Sequence, residues 1–301
     1  MPFFHSARVI LAGIAAVAIG VSPPAADAQH REVRTVYVAA LARGAAVAGL
    51  GAADFVVKED GKVRDIVSVA PATAPMHVAL MLDDGGVWIN AIREGAGEFI
   101  KALQGKGEFA IVTIGGRALT HVEFTPSVAT LFVGLNKLLS RNTTGTDLLD
   151  GFLDVTAQFA RRKAVRPVIV AVATETEEVS NTRATIVLEA LQRQDVKLYY
   201  IGLGPPVTQG TAPAPDRPER STQAETGNRN TVLATAPKNS GGRTEQALQP
   251  LGVPTLMKQF ADELASQYAI TYSTTAFQAK LSVETTRKGV TLRAPTKVGS
   301  K

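Results

Sequence analysis

Four apolar runs limit the folds open to this chain more than any other feature. They are HVALML (77–82), GEFAIVTIGG (107–116), RPVIVAVAT (166–174) and KLYYIGLG (197–204). A strand with one wet face alternates apolar and polar residues, whereas a parallel strand covered on both faces reads as a continuous apolar run. Between the runs lie stretches with helical spacing. NAIREGAGEFIKAL (90–103) places Ile92, Phe99 and Leu103 on one side, and DLLDGFLDVTAQFARR (147–162) does the same with Leu148, Phe152, Val155 and Phe159. RALTHVEFT follows the second run across a glycine turn, so it is expected as an antiparallel edge strand. The sum is an α/β protein: a doubly wound, mostly parallel sheet with helices on both faces.

The two ends read differently. RTVYVAAL (34–41) alternates like a strand, and DFVVKEDGKVRDIVSV (54–69) reads as two strands joined at Glu59-Asp60-Gly61-Lys62. APATAP (70–75) is expected as a linker. Near the other end, Leu256, Phe260 and Leu264 mark a helix that runs into a strand. KLSVETTRKGVTLRAP (280–295) then reads as a final hairpin turning at Lys288-Gly289. A lone hairpin is barely stable in water. The N-terminal strands (about 34–69) are therefore expected to combine with the C-terminal ones (about 269–292) in a small β unit. The segment 204–229 is rich in Pro, Thr, Gly and charge and is expected as a flexible insertion.

The first residues have the anatomy of a secretory leader: Arg8, a short apolar core, then the small-x-small pattern Ala26-Asp27-Ala28, with cleavage expected between Ala28 and Gln29. The apolar core is too short to span a bilayer comfortably, and no later run reaches about 18 apolar residues. The expectation is an exported protein, periplasmic or secreted, with no stable membrane span once the leader is removed. Its parts would be a signal peptide (1–28), an N-terminal β region and linker (29–75), the α/β domain (76–267) and C-terminal strands (268–301). The absence of cysteine excludes a disulfide framework, thiol catalysis and zinc–thiolate sites. The net charge is +5, with basic residues gathered at Arg287, Lys288, Arg293, Lys297 and Lys301. No aromatic residues interleave with them as a nucleic-acid groove requires, so no nucleic-acid partner is expected.

Ligands of open α/β sheets bind beyond the carboxyl ends of the strands. Three loops are expected to meet there: Asp83-Asp84-Gly85-Gly86-Val87, Thr144-Gly145-Thr146-Asp147 and Thr174-Glu175-Thr176-Glu177. All three are rich in the oxygen ligands that a hard cation needs. Other chemistries lack their signatures. Beyond His5 in the leader, the histidines are His30, His77 and His121, and no two have ligand spacing. There is no H-E-x-x-H, no phosphate loop and no G-x-S-x-G elbow.

These loops, with VALMLDDGG, TGTDLLDGFLDV and SGGR followed by ELASQYAITY, resemble a von Willebrand factor type A domain. More narrowly, the chain is similar to exported bacterial proteins in which a short β region, here VYVAALARGAAVAGLGAADFVVKEDGKVRDIVSV, precedes such a domain. The resemblance implies a metal-ion-dependent adhesion site built from Asp-x-Ser-x-Ser, a threonine and a second aspartate. Asp83 matches the first aspartate and Thr146 the threonine. Gly85 and Val87 stand at the two serine positions, and Thr174, beside Glu175, stands at the second aspartate. The site reads as degenerate, because a cation held by Asp83 and Thr146 alone keeps most of its water.

The resulting expectation is a non-catalytic protein-binding or adhesion module of the cell envelope, engaging an envelope or extracellular protein. Binding would use the loops at the carboxyl edge, with Asp84, Gly85, Thr174 and Glu175 as the rim. No cofactor is expected, with Mg²⁺ or Mn²⁺ at Asp83 and Thr146 as the exception to test. Asp83 and Asp84 are expected to act as turn and helix-capping residues. Two alternatives stand beside this: an envelope enzyme using Asp83 and Glu175 as a carboxylate pair, and a scaffolding subunit docking through its basic C-terminal strand.

Overall fold

The computed structural model describes residue 1 and residues 32–143, 145–204, 219–274 and 279–299. The expected leader falls outside the described residues apart from Met1. The strands and helices run in the order β1 (Glu32–Ala42), β2 (Ala45–Ala46), β3 (Phe55–Glu59), β4 (Lys62–Arg64), β5 (Ile66–Pro71), β6 (Met76–Leu82), α1 (Ile89–Ala102), β7 (Gly107–Thr113), β8 (Leu119–Thr125) and α2 (Val128–Lys137). They continue with α3 (Leu148–Arg162), β9 (Arg166–Thr174), α4 (Ala184–Arg193), β10 (Lys197–Leu203), α5 (Glu219–Ser240), β11 (Arg243–Ala247), α6 (Gly252–Ala265), β12 (Tyr268–Thr274), β13 (Ala279–Thr285), β14 (Thr291–Arg293) and β15 (Lys297–Val298).

The four apolar runs become β6, β7, β9 and β10 at the centre of a six-stranded sheet, ordered β11-β10-β9-β6-β7-β8. Every pair is parallel except β7–β8, so the antiparallel edge strand stands where the glycine turn placed it. The continuous apolar reading has a direct cause. Along β6, Val78, Leu80 and Leu82 face the layer of α1, α2 and α6, while Ala79 and Met81 face that of α3, α4 and α5. β9 does the same, with Val168, Val170 and Val172 on one face and Ile169, Ala171 and Ala173 on the other. Each helix turns its expected stripe inward: Ile92 and Phe99 of α1, Phe152, Val155 and Phe159 of α3, and Phe260 and Leu264 of α6 are fully buried. α1 and α6 approach so closely that a Cβ on Gly95 would lie 3.1 Å from Met257 Cγ.

The terminal strands form a two-sheet β unit. One sheet is ordered β14-β1-β12-β5 with β2 pairing β1, and the other β15-β13-β3-β4. β1 from the N-terminal region pairs β12 from Glu32↔Thr274 to Val38↔Tyr268, and β13 pairs β3 from Leu281↔Glu59 to Thr285↔Phe55. Between the sheets lie Val36, Val38, Phe55, Val57, Ile270, Tyr272 and Leu281. Asp60 and Gly61 turn the β3–β4 hairpin with φ of 49° and 79°, the left-handed pair that an Asp-Gly turn supplies.

Four expectations are corrected. The second strand of the 54–69 stretch is broken at Asp65: β4 stays on β3, while β5 crosses to the other sheet and pairs β12. Ala70 and Pro71, expected in a linker, are the last residues of β5. Proline is tolerated there because β5 is an edge strand. The final hairpin does not pair with itself. β13 and β14 lie in different sheets, β14 on β1, so the turn at Gly289 is a crossover between layers. Of the segment 204–229, residues 205–218 lie outside the described residues, but from Glu219 it is the first half of α5. α5 is anchored by Val232 and Ala236 against the α3 and α4 layer and by the buried Arg229.

Candidate functional site

Where β6 ends at Leu82, the chain leaves the sheet through Asp83 and Asp84. Asp83 is 1% exposed and is engaged on both oxygens. Oδ1 accepts from Gly85 N at 2.8 Å, closing a turn of the Asx kind. Oδ2 accepts from Thr174 N at 2.9 Å and from the Thr174 hydroxyl. Burial pushes the Asp83 carboxyl above the ordinary range, and the donors from Thr174 and Gly85 oppose the rise.

Asp84, 4% exposed, faces a different partner. Arg141 forks onto it, Nε to Oδ2 at 2.5 Å and Nη2 to Oδ1 at 3.0 Å, and Gly115 N adds a third bond to Oδ1 at 3.1 Å. The backbones close the same contact, Arg141 N donating to Asp84 O at 2.8 Å and Gly86 N to Arg141 O at 3.3 Å. The turn role of this acidic pair is observed; the capping role is not. α1 begins at Ile89 with Trp88 as its N-cap and no side-chain capping bond.

The second loop contributes Thr146, whose backbone ties it to the third. Its N donates to Glu177 O at 2.8 Å, and its O accepts from Val179 N at 2.9 Å. Thr146 Oγ1 is buried and has no partner among the described residues. Thr144 lies outside them. A Cβ built on Gly85 would lie 2.5 Å from Thr143 Oγ1 and 3.0 Å from Asp83 Oδ1. Thr143 therefore fills the space that a side chain at position 85 would take, and brings a hydroxyl into the neighbourhood of Asp83.

In the third loop Thr174 and Glu175 diverge. Thr174 is spent on Asp83, whereas Glu175 Oε1 accepts from Tyr200 Oη at 3.3 Å and Oε2 lies 3.8 Å from Arg229 Nη2. The acid–base pair of Asp83 and Glu175 is not formed: among the described residues no hydrogen bond joins them and they share no partner. Arg229, 3% exposed, reaches from α5 to Thr176 O at 2.7 Å, Thr174 O at 2.9 Å and Tyr200 Oη at 2.8 Å. Glu178, 1% exposed, accepts on Oε1 from Leu148 N at 3.0 Å in the first turn of α3 and from Ser180 Oγ at 2.5 Å; its Oε2 has no partner among the described residues. Burial raises the Glu178 carboxyl, opposed by the Ser180 bond and the positive charge of Arg229.

The three loops thus meet, Asp83 bonded to Thr174 and the Thr146 backbone to Glu177 and Val179, but the rim differs from expectation. Asp84 and Gly85 are buried under Arg141, and Thr174 and Glu175 are half-buried. The surface at this edge belongs to Val87 and Leu139, both largely exposed, and to Arg141, whose side chain is 42% exposed. Arg141, Thr143, Glu178 and Arg229 are site residues that the sequence reading missed. The first two flank the threonine loop by a few positions and Glu178 follows Thr174 in the same acidic loop, so proximity was a signal. Arg229 gave none.

This sheet order, with helices on both faces, is a von Willebrand factor type A-like fold. The chain is similar in structure to a von Willebrand factor type A protein from Catenulispora acidiphila, with a TM-score of 0.50, 11% identity, and coverage of 84% of this chain and 75% of that one. BatB from Bacteroides thetaiotaomicron matches with a TM-score of 0.45, 15% identity, and coverage of 64% of this chain and 100% of that one. Proximal thread matrix protein 1 from the mussel byssus, in a structure with a zinc-occupied MIDAS motif, matches with a TM-score of 0.46, 10% identity, and coverage of 71% and 50%. The sequence matches no protein-family model and no curated protein.

Proposed function

We propose that this chain is a non-catalytic protein-binding module of the cell envelope whose carboxyl-edge loops are held by arginine instead of a metal ion. The supporting observation is the fork of Arg141 on Asp84. A divalent cation needs charged oxygens with free lone pairs in near-octahedral array. Here Asp84 is claimed by a guanidinium, Asp83 by Thr174 and Gly85, and positions 85 and 87 carry no hydroxyl. Among the described residues no group of three or more His, Cys, Asp or Glu side chains is placed to hold a metal. The donor set does not fit the family's ion.

The contact surface in this reading is Val87, Leu139 and Arg141. An exposed apolar pair beside an arginine is the composition of interface anchors. Export rests on the leader pattern of residues 1–28; among the described residues, no helix is long and apolar enough to cross a membrane. Capture of an envelope protein by the mature chain is expected to survive a chelator and to be lost with Val87→Asp or Leu139→Asp. Loss on chelation, or capture unchanged by both substitutions, would refute it.

A second reading, a cation between Asp83 and Thr146, is favoured by one observation: Thr146 Oγ1 and Glu178 Oε2 are buried without partners among the described residues. Calorimetric titration with Mg²⁺, Mn²⁺ and Ca²⁺ separates the two. Binding tighter than about 100 µM supports the cation and removes the arginine lock.

A further inference from the structure

At the opposite, amino edge of the sheet, a cavity of about 520 Å³ lies between β1, the starts of β9 and β10, α4 and α5. That volume suits a small organic molecule. Much of its wall is apolar, with Val36, Val168, Leu191 and Val196 among the lining residues. Its polar part is unusual because it holds two buried cations and surplus donors. Arg166, 4% exposed, donates from Nη2 to Leu264 O at 2.6 Å and to Gln267 Oε1 at 2.8 Å, and its guanidinium lies 5.0 Å from the Tyr37 ring centroid. Its Nε is buried with no acceptor among the described residues, and so is Gln267 Nε2. Lys197 Nζ donates to Tyr37 O at 3.1 Å and Gly241 O at 3.2 Å, with no third acceptor among the described residues.

Neither cation forms an ion pair with a carboxylate among the described residues. Glu263, the acid whose field reaches Lys197, is committed to Tyr199 Oη at 2.7 Å, to Arg243 at 3.4 Å and to Arg293 at 3.3 Å. Of the acids lining the cavity, Glu32 and Glu189 are exposed to solvent, and Asp195 accepts from Gly299 N at 2.6 Å. A buried charge without a counter-charge is costly, and surplus buried donors add to that cost. An entering anion offsets both, and a guanidinium beside an ammonium suits a carboxylate head.

We propose that this cavity binds an amphipathic carboxylate, its head held by Arg166, Gln267 and Lys197 and its apolar body lying along Val36, Leu191 and Val196. The site is remote from the carboxyl-edge loops and does not depend on their role.

The test is calorimetric titration of the full chain with decanoate, with decylamine and decyl phosphate in parallel, at pH 6.5. Decanoate is expected to bind, decylamine not to bind, and decyl phosphate to bind no tighter than decanoate. Lys197→Met removes a buried charge without leaving a void and is expected to weaken decanoate at least tenfold. Leu188→Trp, at the cavity wall, is expected to block it while leaving the head site intact. The proposal fails if decanoate does not bind, if decylamine binds equally well, or if neither substitution moves its affinity. Decyl phosphate binding more than tenfold tighter would assign the site to phosphate esters and overturn the carboxylate.

Discussion

Arg141 grips Asp84 through two hydrogen bonds, Nε to Oδ2 at 2.5 Å and Nη2 to Oδ1 at 3.0 Å, while a third bond from Nη2 reaches Gly115 O at 3.0 Å. One guanidinium thereby joins the first loop, the end of β7 and the approach to the threonine loop. Arg141→Ala leaves Asp84 buried without its counter-charge. Because the arginine itself is partly solvated, the expected loss is about 1–3 kcal/mol rather than the full value of a buried pair. Urea denaturation measures it, and an unchanged midpoint would show that the fork does not hold the loops.

Reinstating a serine at position 85 tests whether the site is one substitution from a metal centre. A Cβ there would lie 2.5 Å from Thr143 Oγ1. Gly85→Ser is therefore expected to destabilise by about 1–2 kcal/mol through overpacking and to bring no Mg²⁺ affinity. Adding Thr143→Ala opens the space and is expected to restore most of the stability. Titration of both variants with Mg²⁺ and denaturation of both give the answer; a stable single variant would show that Thr143 yields freely.

Glu178 separates charge from hydrogen bonding. Its Oε1 holds Leu148 N and Ser180, and its Oε2 holds nothing among the described residues. Its carboxyl is raised by burial. An acid raised on folding adds stability when protonated and loses it as pH climbs through the folded value. Glu178→Gln keeps the acceptor and drops the charge, so it is expected to be neutral or stabilising at pH 7. Glu178→Ala strips the first turn of α3 of its acceptor and is expected to cost about 1–3 kcal/mol. Thermal melts of the pair, with Gln above Ala, check this.

What the sequence disclosed follows from where physical constraints are local. The apolar runs of β6 and β9 announce burial on both faces because each residue meets a helix layer, whichever way it points. The stripes of α1 and α3 likewise report their own packing. The strand break at Asp65 and the separation of β13 from β14 were not legible, because sheet membership is decided by partners far along the chain. The site shows the same division. Asp83 and Thr174 came from positions at the ends of strands, and Thr146, in the loop between α2 and α3, came from the resemblance. Arg229 lies in a polar stretch that reads as unstructured, yet it is buried by the very carbonyls of Thr174 and Thr176 that it binds.

Lys197 sets a pH dependence. It is buried, and its pKa is pushed down to about 7, mainly by burial, with Glu263 raising it and Arg166 lowering it further. Between that value and the unfolded pKa of about 10.4, the unfolded chain holds a proton that the folded chain has released, so stability rises with pH. Below pH 7 both states carry the proton and the burial penalty is felt in full. The urea midpoint is expected to climb between pH 7 and 9, the unfolding free energy rising by at most about 1.4 kcal/mol per pH unit from this group. Lys197→Met is expected to flatten that slope. A wild-type midpoint that falls across the window would contradict the burial of the charge.

Glu59 of β3 carries the last prediction, because it links the two terminal sheets. It is fully buried and accepts from Tyr272 Oη at 2.9 Å and Thr274 Oγ1 at 2.9 Å on β12, in the other sheet. Arg64 Nε at 3.1 Å and Arg34 Nη1 at 3.6 Å supply the counter-charge. Removing the carboxylate takes the counter-charge from Arg34 and Arg64 and the acceptor from the Tyr272 hydroxyl. Glu59→Ala is therefore expected to destabilise by about 3–5 kcal/mol. Its effect should be non-additive with Tyr272→Phe by about 0.5–3 kcal/mol, since the two residues share one network. A chain truncated after Tyr272 loses β13, β14 and β15, and with them one of the two partners of β3, so it is expected to be protease-sensitive throughout. A protease-resistant core surviving that truncation would show that the α/β sheet stands without the β unit.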